Sequence, residues 1–217
     1  MIRTQVYGFT LFVAIVLTSS LLHFQFRGGE PAASPTPQRP ADASRFYSAV
    51  SQHFQVGPQQ VRALVDAGLP PEDVVVLYYI AEHSLRQPGQ LLADRQAGKS
   101  WRDVAIAAGL QPESFYYPIA NSRGPFVNVY ALYHQLPRDR WSWDRLQLTD
   151  GDIGNLVNLR FLAALGGRSM PDPDPTNKVQ RLRAQGYDYV SIHHFLLGGQ
   201  QTAQHEAGTP GAGQTRS

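Results

Sequence analysis

The sequence predicts an all-α protein: helical hairpin repeats with a period of about 30 residues, an aromatic-rich insert, and an N-terminal signal-anchor helix in front. Three observations carry this. Gly68, Gly98 and Gly186 sit in matching surroundings, with Val61, Leu91 and Val179 seven residues before them and Val74, Val104 and Ile192 six residues after. The first two copies lie 30 residues apart, and Val50/Ile80, His53/His83 and Pro58/Pro88 keep the same interval. From Thr4 to Phe26 no residue is formally charged.

That uncharged run is long enough to span a bilayer as a helix. Arg3 and the amino terminus precede it, which favours an N-terminus inside and a domain outside, in the periplasm of a bacterial inner membrane. A cleaved signal peptide over residues 1–27 is the alternative, with "TSS" as a cleavage region. Residues 28–44, rich in Pro, Ala and Ser, form a semi-extended linker. The expected domain covers residues 45–197. The polar, Gly-rich end, 198–217, has too little to bury and is expected to be disordered.

Within the domain each glycine is expected to end a helix in the left-handed conformation, with a new helix starting a few residues on. The start signals are local. Pro70 and Pro71 suit a first turn, and Glu72 and Asp73 suit its positive end. Ser100 and Asp103 bracket Trp101 as a capping box, and Thr149 and Asp152 form a second such pair. Asp188 is placed to cap the helix after Gly186. In "SWRDVAIAAGL" the Val104, Ala105 and Ala108 stripe marks a packing helix.

Residues 115–150 hold the insert. "FVNVYALYHQL" is expected to be helical and "WSWDRLQL" a short extended stretch, because its apolar residues alternate. Such aromatic density serves a core, or a face on which a peptide or sugar stacks. The candidate partner surface is Tyr116, Tyr117, Tyr130, Tyr133, Trp141 and Trp143, joined by Asn155 and Asn158 one helical turn apart. The two asparagines either hydrogen-bond to the aromatic segment or face a ligand.

Composition excludes several classes of chemistry. The chain has no cysteine, so disulfides, thiolate metal sites and a cysteine nucleophile are absent. The pI of about 9.0 reflects the tails. Residues 41–197 carry 15 Lys/Arg against 15 Asp/Glu, which suits nucleic acid poorly. No H-E-x-x-H, G-x-S-x-G or phosphate-cradling glycine loop occurs, so no cofactor, metal or catalytic residue is implied. The acidic loop Asp172–Asn177 lacks the glycine and distal glutamate of a calcium loop.

The stretches "GKSWRDVAIAAGL", "NLVNLRFLAAL" and "LRAQGYDYVSI" together resemble a group of uncharacterised exported bacterial proteins with helix-turn-helix-like G-x-S-W repeats. The resemblance covers most of residues 70–195 and implies no activity and no site residues. The resulting expectation is a non-enzymatic, membrane-tethered helical interaction module of the envelope, binding a protein or a glycan. Two rivals stand beside it: a membrane-anchored helix-turn-helix DNA-binding protein with a cytoplasmic domain, and an envelope enzyme. Oligomeric state is left open.

Overall fold

The computed structural model describes residues 40–169 and 174–197. The expected anchor over 1–27, the linker up to residue 39 and the tail 198–217 lie outside the described residues. Among the described residues no helix is long and apolar enough to cross a membrane.

The described chain is all helical. Its elements are α1 (Pro40–His53), α2 (Pro58–Asp66), α3 (Pro71–Glu82), α4 (Pro88–Gln96), α5 (Trp101–Ala107), α6 (Phe126–His134), α7 (Asp150–Ser169), α8 (Pro175–Ala184) and α9 (189–197). Five of them open on a proline whose fixed φ fits a first turn. α1 takes in residues 40–44, which composition assigns to the linker. Pro40 starts that helix, and Ala43 already packs against the core.

The glycine signals mark helix ends. Gly68, Gly98 and Gly186 have φ of +89°, +80° and +91°. At Gly98 the next amide, Lys99 N–H, donates back to Asp94 O (3.2 Å), while Gly98 N–H donates to Arg95 O (2.9 Å). This double closure satisfies two carbonyls that the helix end would otherwise leave open. The same pair of bonds closes α2 at Gly68, α5 at Gly109 and α8 at Gly186.

Two helices are enclosed by the others. α3 is buried without interruption from Val74 to Ile80, the pattern of a helix apolar on all sides. α7 buries Ile153, Leu156, Val157, Leu159, Phe161 and Leu162. They pack on each other, and α1, α2 and α4 surround α3 while α5, α6 and α8 flank α7. Thr149 starts α7 as expected: its hydroxyl accepts from Asp152 N–H (3.1 Å), and the Asp152 carboxylate accepts from Thr149 N–H (2.9 Å).

The insert departs from expectation in one element. Residues 141–148 form a turn with no strand character. Leu146 N–H and Arg145 N–H both bond back to Ser142 O, at 2.8 and 3.1 Å. The alternation of Trp141, Trp143, Leu146 and Leu148 reflects side chains turned inward around that corner, with no neighbouring strand to pair with. α6 forms as expected, and its entry is pinned to α8 by Arg123 N–H donating to the buried Gln180 Oε1 (2.9 Å).

Candidate functional site

The aromatic segment is mainly core. Tyr130, Tyr133 and Trp143 are buried, with Tyr133 only 1% exposed, so these three offer a partner no surface. Their polar tips are spent on backbone carbonyls. Tyr133 OH donates to Pro112 O (2.7 Å), Trp143 Nε1–H to Leu110 O (2.8 Å), and Tyr130 OH to Tyr117 O. Burial pushes the Tyr130 and Tyr133 hydroxyls far above the usual phenol range. Tyr116, Tyr117 and Trp141 are half-buried. Trp141 Nε1–H is shared between Tyr133 O and Leu136 O, both at 3.1 Å, and its ring meets Tyr116 at 4.9 Å. A half-buried tie holds this segment to α7. Arg160 donates to Tyr79 OH, Ser114 O (3.2 Å) and Tyr116 O (2.7 Å).

Asn155 and Asn158 do not reach the aromatic segment. Asn155 Oδ1 accepts from Tyr189 OH in α9 (2.7 Å). Asn158, 0% exposed, donates through Nδ2 to Glu72 O in α3 (3.1 Å) and to Gly154 O (2.9 Å). Both partners are carbonyls, so the nitrogen must face them and the orientation of the amide is fixed. Asn158 Oδ1 is buried and accepts no hydrogen bond.

Both asparagines line a groove of about 230 Å³ formed where helix ends meet. α3 supplies Glu72 and Asp73 at its start, α4 supplies Arg95, and α5 supplies Trp101. α7 contributes Asp150, Gly151, Gly154, Asn155 and Asn158; Arg183 and Tyr189 close the far side. Gly154 sits inside a helix, where glycine costs about 1 kcal/mol relative to alanine. No neighbouring atom lies within 4 Å of where its Cβ would be, so packing does not require a glycine there. The missing side chain leaves the groove open.

Charge in the groove is organised around Arg95. Its guanidinium donates to Asp150 Oδ2 (2.8 Å) and to Lys99 O (2.6 Å), and stands 3.5 Å from Asp73 Oδ2. It also lies over the Trp101 indole at 4.4 Å. Asp150 Oδ1 accepts from Trp101 N–H (2.7 Å), and Asp73 Oδ1 accepts from Trp101 Nε1–H (3.0 Å). Burial nevertheless raises the Asp73 carboxyl above its ordinary range, against the donors Trp101 and Arg95, with the charge of Asp150 adding to the rise. Arg183 stacks on Tyr189 at 4.8 Å and donates to Tyr187 O (3.0 Å). Burial keeps the Tyr189 hydroxyl protonated despite that cation.

A second groove of about 290 Å³ adjoins it, running from Ala67 to Pro70 and across Leu92 and Gln96. Asp73 and Arg95 line both. The residues of the main groove come from positions far apart in sequence, and no short motif announces them. Two glycines inside one capped helix, in "TDGDIGNLVN", are the sequence signal that points there.

The remaining candidates have structural surroundings. Ser100 Oγ caps α5 by accepting from Asp103 N–H (3.0 Å), and its hydroxyl donates to Asp103 Oδ2 (2.6 Å). Trp101 is 1% exposed. His83 stacks on Tyr79 at 4.2 Å, and the buried His193 meets Phe46 edge-on at 5.6 Å. Asp174 accepts from Asn177 N–H at the start of α8 (3.0 Å), while Asp172 lies outside the described residues. Among the described residues no cluster of three His, Asp or Glu could hold a metal ion. No family model matches the chain, and no curated protein or solved structure matches it either.

Proposed function

We propose that the chain is a non-enzymatic interaction module of the bacterial envelope, tethered through residues 4–26, with its helical hairpin repeats in the periplasm. The module binds a peptide segment of a protein partner in the groove between α3, α5, α7 and α8. The observation that carries this is convergence: four helices bring carboxylates, a buried amide oxygen and two arginines to one opening that a helix-interior glycine leaves unfilled. The carboxylates of Asp73 and Asp150 are already occupied by Arg95 and Trp101 donors, an arrangement suited to holding a shape and poorly suited to moving protons. The three left-handed glycines, each followed by a new helix, support the repeat reading.

The test is binding by the full chain, purified in detergent, to a library of short synthetic peptides. Saturable binding that Gly154→Leu abolishes, with every peptide recovered intact, is the expected result. Cleaved or modified peptide overturns the non-enzymatic reading. Binding indifferent to Gly154→Leu overturns the assignment of the groove.

A further inference from the structure

Two acceptors in the groove, the Glu72 carboxylate and Asn158 Oδ1, have no donor, and they point to the chemistry of what it takes. Glu72 lines it half-buried, and its carboxylate makes no hydrogen bond or ion pair with any described residue. Asn158 lines it fully buried, its amide nitrogen tied to Glu72 O and its Oδ1 without a donor. Asp73 has one firm donor in Trp101 and a more distant one in Arg95, whose shorter bonds go to Asp150 and Lys99. Arg183 is turned against Tyr189 and bonded to Tyr187 O. A buried acceptor without a donor, as Asn158 Oδ1 is, costs about 1–3 kcal/mol. Glu72, Asp73 and Asn158 line the same groove as Gly154.

We infer that the groove is a site for a primary ammonium group, which offers its three N–H donors to Glu72, Asp73 and Asn158 Oδ1. The inference rests on the groove being a binding site and names what it recognises there. A compact ammonium supplies both charge and directed donors. The groove, at about 230 Å³, also admits the few heavy atoms that follow the nitrogen. Asn155 Nδ2, whose own oxygen is held by Tyr189, is placed to donate to a carbonyl next to that ammonium. The ammonium has two sources in a peptide, its free N-terminus or a lysine side chain, and the same acceptors serve both.

The test titrates the full chain in detergent with four defined probes: triglycine amide, its N-acetyl form, Nα-acetyl-lysine methylamide, and the trimethylated form of that lysine. The first or the third binds, and which of them binds tighter identifies the source. The trimethylated probe keeps the charge but has no N–H to donate, so it binds roughly tenfold or more weakly. Glu72→Gln, at a half-exposed position, weakens amine binding by a similar factor while the melting temperature holds. Equal binding of the trimethylated probe, or indifference to Glu72→Gln, overturns the ammonium assignment. If library peptides still bind in a Gly154-dependent manner under that result, the groove stands as a site and only its chemistry is wrong. If nothing binds at all, both readings fall together.

Discussion

The indole Nε1–H of Trp101 donates to the carboxylate of Asp73 at 3.0 Å, so the first turn of α5 is bonded to the first turn of α3. The same tryptophan donates its backbone N–H to Asp150 at the start of α7. One residue therefore holds three helix N-termini together. Its ring is buried, and Arg95 covers one face at 4.4 Å. Trp101→Ala is expected to cost about 3–5 kcal/mol, from lost burial and the cavity left behind. Trp101→Phe keeps most of the ring but leaves Asp73 Oδ1 without its donor, and should cost about 1–3 kcal/mol. Chemical denaturation of both variants measures this. A Trp101→Phe loss that persists unchanged in an Asp73→Asn background would show that the two residues are not coupled.

Asp73 gives a pH prediction whose sign is opposite to that of most acid residues. Burial raises its folded-state carboxyl above the ordinary 3.8. A carboxyl raised on folding binds its proton more tightly in the native state, so its contribution to stability falls as pH rises through the raised value. Asp73→Asn cannot ionise. Relative to wild type, the variant should gain stability as pH rises above about 4, and the difference should level off once Asp73 is fully charged. Melting curves at several pH values for the pair read it directly. A difference that shrinks with rising pH would mean that Arg95 outweighs burial at this site.

Glycines in this chain divide by what surrounds them. Gly98→Val forces a β-branched residue into left-handed geometry and should destabilise by about 1–2 kcal/mol. Gly124, at φ +55°, would place a Cβ 2.6 Å from Ala184 Cβ, so Gly124→Ala adds overpacking of about 1–3 kcal/mol to that backbone cost. Gly154 has helical geometry and open space, so Gly154→Ala should stabilise by about 1 kcal/mol. Three melting temperatures decide whether the groove glycine is retained against the preference of its own helix.

Where one local rule determined the outcome, the sequence was informative. Gly98 needed only its own backbone, and the Ser100/Asp103 and Thr149/Asp152 caps needed only a spacing of three residues. Trp141 and Trp143 were harder. Alternation implies a strand only when a neighbouring strand exists, and here the rings are turned inward by a turn closed on Ser142. Asn155 and Asn158 shared a helix face as expected, but their partners, Tyr189 and Glu72, come from helices that no spacing relates to α7. The groove was illegible for the same reason: Asp73, Arg95 and Asp150 meet only after α3, α4 and α7 have packed.

Arg160 should be the tie that holds the aromatic segment to α7. Its guanidinium serves Tyr79 OH, Ser114 O and Tyr116 O together, a fork that a lysine ammonium cannot reproduce. Arg160→Lys is expected to cost about 1.5–3 kcal/mol. It should also speed amide exchange in residues 112–117 more than in α3. Uniform exchange throughout the domain would instead mark Arg160 as part of the general core.

The DNA-like appearance of "SWRDVAIAAGL" makes Arg102 the residue on which a nucleic-acid function would depend. A reading helix presents its basic side chains outward on its first turns. Arg102 is instead turned into the chain: Nη2 donates to Trp143 O at 2.7 Å, Nε is buried, and the guanidinium stands 6.0 Å from the Trp143 ring. Its neighbour Asp103, whose carboxyl the Ser100 hydroxyl lowers below its ordinary value, repels phosphate. Arg102→Ala should therefore lower the melting temperature by leaving Trp143 O with only its longer bond, from Gln147 Nε2 at 3.3 Å. The full chain should show no binding to duplex DNA that weakens with salt. An alkaline phosphatase fusion after Leu197 should be active, as expected of a domain outside the inner membrane. Steeply salt-dependent DNA binding, lost in Arg102→Ala with the fold intact and accompanied by an inactive phosphatase fusion, would place the domain in the cytoplasm and make the motif a reader of DNA.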